Sequence, residues 1–138
     1  MKGSINMKYT EIQNEVIAKY RIDICDGTKC KNDWQRTHAH PKQRRVCKWK
    51  QANSVESLFT LLHEIGHIEN NNSKMRRCEQ EYYATVWAID ILKAYGIVDK
   101  VSNKTKKLYQ DYILRERARG MRRGGANYPS EKQLTLEW

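Results

Sequence analysis

The sequence predicts an α+β fold with a small, mostly antiparallel sheet packed on a histidine-bearing helix and two further long helices. Three observations carry this. Apolar residues recur at helical spacing over 55–70, 75–94 and 104–119. Two short stretches, 21–25 and 45–50, alternate polar and apolar instead. The chain has 138 residues, enough for one hydrophobic core and one domain, 1–138, with a basic tail at about 120–138.

The elements follow in order. Tyr9, Ile12, Val16 and Tyr20 share one face of a helix over 8–20. Arg21–Cys25 reads as a half-buried strand, closed by the turn signal Asp26-Gly27. Residues 28–44 are polar and basic and read as a long loop or irregular hairpin. Arg45–Lys50 reads as a second strand, and its charged side chains suit a sheet edge. An extended peptide could add to that edge around Val46–Trp49.

The best-defined helix comes next. Asn53 and Glu56 have capping-box spacing, with Ser54 as an alternative cap. Val55, Leu58, Leu61, Leu62, Ile65 and Ile68 form its apolar stripe. A second long helix is expected to stop at Gly96. A third, with Leu108, Tyr109, Tyr112 and Ile113 on its apolar face, is expected to stop at Gly120.

The first of these helices carries His63-Glu64-Ile65-Gly66-His67. Histidines at i and i+4 lie one above the other on a helix, so both imidazoles can reach one metal ion. Glu64 lies about 100° further round, too far to be a good third ligand. It can still take a proton from a water at the metal, as a hydrolase requires. Gly66 has no side chain, so another backbone can approach there. With four histidines in the chain, a chance match is on the order of 1%.

A catalytic zinc wants three protein ligands and one open position. If the two helices fold back on each other, the level of His67 is near Cys78 and that of His63 near Tyr82. Two carboxylates lie between, Glu79 and Glu81. Glu81 shares a face with Cys78, Ala84, Thr85, Ala88 and Leu92, small or apolar residues that permit close approach. Helical phase therefore favours Glu81, with Glu79 as the alternative third ligand. The carbonyl-polarising group is open among Tyr82, Tyr83, Tyr128 and the tail arginines.

His63-Glu64-Ile65-Gly66-His67, then Glu79-Gln80-Glu81, then Trp87-Ala88, resembles the ImmA/IrrE type of small, zincin-like metallopeptidase. The resemblance covers about 55–92. It implies a zincin-like fold, His63 and His67 as zinc ligands, Glu64 as general base and Glu81 as third ligand. Such proteins act in bacteria, phages and mobile elements, and some cleave repressors. No helix-turn-helix accompanies the motif here, so no substrate is implied.

Cys25, Cys30, His38, His40 and Cys47 could form a second, structural zinc site. Their spacing matches no familiar knuckle, so buried strand cysteines and loop histidines are the preferred reading. The net charge is +10. Two basic clusters stand beside aromatics: Lys42, Arg44, Arg45, Lys48 and Lys50 near Trp34 and Trp49, and Arg115, Arg117, Arg119, Arg122 and Arg123 before Tyr128. They suit nucleic acid or an acidic protein. No stretch is long and apolar enough to span a membrane, and no signal-peptide core is evident, so a cytoplasmic protein is expected. The sequence thus points to an intracellular zinc peptidase. The competing reading is a non-catalytic phage or mobile-element binding protein that keeps zinc for its fold.

Overall fold

A computed structural model describes residues 8–25, 37–47 and 51–138. It is an α+β architecture of four helices and one three-stranded sheet. Helix α1 spans Tyr9–Tyr20, α2 Val55–Glu69, α3 Arg77–Ala94 and α4 Asn103–Arg122. The strands are β1 (Asp23–Cys25), β2 (His38–His40) and β3 (Arg45–Cys47).

The sheet corrects two expectations. Its order is β1-β3-β2, with β1–β3 parallel and β2–β3 antiparallel, so it is mixed rather than mostly antiparallel. Strand β3 therefore has a neighbour on each side over Arg45–Cys47 and is not an edge there. The charged side chains misled because Arg45 is neutralised in place, its Nε donating to Asp23 Oδ2 at 2.7 Å. The rest of that expected strand, including Lys48, Trp49 and Lys50, lies outside the described residues, as do Cys30 and Trp34.

Helix α2 is the centre of the core. Its stripe of Val55, Leu58, Leu61, Leu62, Ile65 and Ile68 is buried, and Phe59 joins it. Phe59 packs against Tyr109 of α4 and against Trp138. The last residues join this packing: Leu134 and Leu136 are buried in the same core cluster. Ser54, not Asn53, caps α2, and Ser57 rather than Glu56 completes the capping box. Glu56 accepts instead from the Ser102 backbone at 3.4 Å.

Gly96 ends α3 with φ 72°, as expected of a glycine stop. Gly120 does not end α4, which runs on to Arg122. Its missing side chain makes room for the Tyr128 ring instead. Leu108, expected on the apolar face of α4, is 62% exposed, whereas Ile113 is fully buried. No helix among the described residues is long and apolar enough to cross a membrane.

Candidate metal centre

Helices α2 and α3 form the site by lying unusually close. A Cβ on Gly66 would collide with the Ala84 carbonyl and stand 2.9 Å from Ala84 Cα. Glycine on one helix and alanine on the other let the backbones touch. That approach brings the short Glu81 side chain under both histidines.

The Nε2 atom of His63 is 3.0 Å from Glu81 Oε1. The Nε2 atom of His67 is 3.2 Å from Oε1 and equally far from Oε2. A tetrahedral zinc with bonds of about 2.0–2.1 Å holds its ligand atoms roughly 3.3–3.4 Å apart. The observed separations are close to that edge length, and two imidazoles with one carboxylate are a donor set that zinc accepts. These three residues could therefore hold a metal ion.

Glu81 is only 2% exposed. Burial works against its ionisation, but the hydrogen bonds of His63 and His67 outweigh it and hold the carboxyl well below the usual range. The Arg77 guanidinium adds an ion pair at 3.1 Å. Glu81 is thus kept in the anionic form that a metal needs. Glu79 is used differently. Its Oε1 accepts from the Arg76 backbone at 3.3 Å, where it closes the first turn of α3.

Sequence reasoning missed the group that orients His63. The buried Thr85 hydroxyl donates to the Glu81 carbonyl at 2.7 Å, so its oxygen is left to accept from His63 Nδ1–H at 3.0 Å. This pairing assigns the Nδ1 proton to the Thr85 contact and leaves Nε2 as the nitrogen that faces Glu81 and would bind a metal. A threonine four residues after a candidate ligand, on the same helical face, was the available signal.

Beside these residues lies a cleft of about 580 Å³. Glu64, His63, His67 and Glu81 line it, and the segment Thr37–Ala39 with Pro41 contributes to its lining. Across the cleft stand Tyr109, Tyr112 and Arg115 of α4. The Tyr109 ring is 5.3 Å from the His63 ring. Burial pushes its phenol up, a Thr60 hydrogen bond opposes this, and the charges of Glu64 and Glu81 add to the rise.

The tyrosines named from sequence as carbonyl-polarising candidates lie elsewhere. Tyr82 and Tyr83 meet edge to face, and Tyr128 lies under the Arg76 guanidinium. Tyr109 was assigned to the core because its helical spacing matches Ile113. Its ring does pack on Phe59, but it also reaches the cleft.

The basic residues divide. Arg44 is ion-paired to Glu69 and bonded to the Tyr20 carbonyl, and Arg45 is paired to Asp23. Arg115, Arg119, Arg122 and Arg123 are exposed on or just after α4. Lys48 lies outside the described residues.

Compared with family models, curated proteins and solved structures, the chain matches none.

Proposed function

We propose that the protein is a zinc-dependent peptidase in which His63, His67 and Glu81 hold the metal and Glu64 is the general base. One observation carries this reading. Two imidazole nitrogens converge on one buried carboxylate, and a second carboxylate, Glu64, lines the same open cleft. A purely structural site would be closed on all sides by protein donors. The resemblance to ImmA/IrrE-type peptidases, and with it a zincin-like fold and a phage or mobile-element origin, agrees with this reading.

Zinc, when bound, supplies Lewis acidity: it lowers the pKa of a coordinated water and polarises a carbonyl. Glu64 takes the proton of the attacking water and delivers it to the leaving amine. Tyr109, held protonated by its surroundings, donates to the carbonyl oxygen as charge develops there. Thr85 keeps His63 in its working orientation. Arg77 and Arg115 line the cleft, so acidic side chains near the scissile bond of a protein substrate suit it. No disulfide joins the described cysteines, Cys25, Cys47 and Cys78, which suits a reducing, intracellular compartment.

The exposed arginines of α4 favour a second reading, a non-catalytic protein that grips nucleic acid or an acidic protein. Glu64→Gln separates the two. It keeps shape and metal but removes the base. Peptide hydrolysis should fall by about 10²–10⁴-fold with zinc content unchanged. Full biological activity in the variant would overturn the peptidase reading, and steep loss of partner binding with added salt would support the second.

A further inference from the structure

The face of the sheet turned away from the main core carries a second cluster of metal-ligating side chains. In a strand, residues two apart share a face, and residues directly paired across strands share it too. His38 pairs with Cys47 across β2–β3, and Cys25 pairs with Cys47 across β1–β3. His40 lies two residues from His38. All four therefore project to one side, while Val46 projects to the other and enters the core cluster. The His38 and His40 rings meet edge to face with centroids 5.0 Å apart. The ligand atoms of His38, His40 and Cys47 all lie within 4.8 Å of one another.

We propose that His38, His40 and Cys47 form a second metal site, distinct from the one between α2 and α3, which binds zinc or a similar borderline divalent ion. Cys25, in register with Cys47 on β1, stands beside this group of three and is not one of its ligands. The chemistry is that of a buried site of one thiolate and two imidazoles, with His38 4% exposed and Cys47 fully buried. One further feature fits. The positive charge of Arg45 is already balanced by Asp23 at 2.7 Å.

The site gives the sheet something it otherwise lacks. Each strand has three residues, short of the about five or six typical of strands in stable sheets. A metal shared by β2 and β3 clamps them in register. Because Thr37, His38 and Ala39 help line the cleft, the clamp also fixes that part of its lining. The motif was unfamiliar by spacing because its ligands come together by strand pairing, not by a knuckle.

Cobalt discriminates between the two sites. A thiolate ligand gives Co²⁺ an intense near-ultraviolet charge-transfer band, which a His₂Glu site cannot produce. The full chain loaded with Co²⁺ should bind two equivalents and show the band for one of them. The band should persist in His63→Ala/His67→Ala, with one equivalent bound, and disappear in Cys47→Ser or His38→Ala/His40→Ala. The wild-type reading does not depend on any variant folding. One equivalent with no band, or a band that survives Cys47→Ser and is lost in Cys78→Ser, overturns the proposal.

Discussion

Replacing Gly66 with alanine sets two effects of opposite sign against each other. Alanine is favoured over glycine inside a helix by about 1 kcal/mol, so propensity alone makes Gly66→Ala stabilising. The packing says the reverse. The new Cβ would sit 2.9 Å from Ala84 Cα and closer still to the Ala84 carbonyl oxygen, and these are backbone atoms that no rotamer change can move aside. The helices must separate, and overpacking of this kind costs about 1–3 kcal/mol, with the backbone clash placing this case at the upper end. The net expectation is a loss of about 1–2 kcal/mol after the propensity gain. Unfolding entropy of about 2.1 cal/mol/K per residue gives roughly 290 cal/mol/K for 138 residues, so Tm should fall by about 3–7 °C. The same separation moves Glu81 away from His63 and His67, so zinc affinity should fall by about tenfold or more. Calorimetry and a competitive zinc titration read both effects. Because the obstacle is the Ala84 backbone, adding Ala84→Gly should not restore either. A variant about 1 kcal/mol more stable than wild type, with unchanged zinc affinity, would refute the account of how these helices build the site.

Two further outcomes follow from particular contacts. Thr85→Val keeps the shape but removes the acceptor for His63 Nδ1–H and should weaken zinc by about 10–100-fold; Thr85→Ser should restore it, and equal affinity in all three proteins would remove Thr85 from the site. The Tyr95 phenol, bonded to Glu15 at 2.5 Å, is raised to about 12 from 10 by burial and by that carboxylate. Its folded pKa exceeds its unfolded one, so its contribution is complete below pH 10 and is lost as pH rises from 10 to about 12. Urea denaturation over that range should show a shallower fall in Tyr95→Phe than in wild type; identical slopes would refute the assignment.

The helices were legible because each carries its own periodicity. The stripe of α2 was read residue by residue, and its ends were placed within about a residue, since Ser54 and Asn70 mark them locally. The sheet was less legible. Three-residue strands carry almost no period, and β2 sits in a basic stretch that reads as a long loop or irregular hairpin. Whether a strand is central or at an edge depends on which partners arrive, and the Arg45–Asp23 pair that makes a charged central strand tolerable joins residues 22 apart in sequence. Gly120 misled for a related reason. Glycine serves a helix stop and a close contact equally well, and only the Tyr128 ring beside it decides between them.

The grouping of His63, His67 and Glu81 was legible up to the point where two helices meet. His63 and His67 needed only the period of one helix. Choosing Glu81 needed the relative phase of two, and the small residues on its face, Ala84 and Ala88, supplied that phase because only a small-residue face can lie against Gly66. What lies across the cleft was not legible. Tyr109 and Arg115 reach it because α4 crosses α3, a contact that no local spacing encodes. The same holds for the His38–His40–Cys47 cluster. Its ligands are neighbours through strand register, and register is fixed by which face is buried. With Val46 turned into the core, Cys47 and Cys25 have no choice but the opposite face, where His38 and His40 already stand. The burial of one valine thus sets which face carries His38, His40 and Cys47 together.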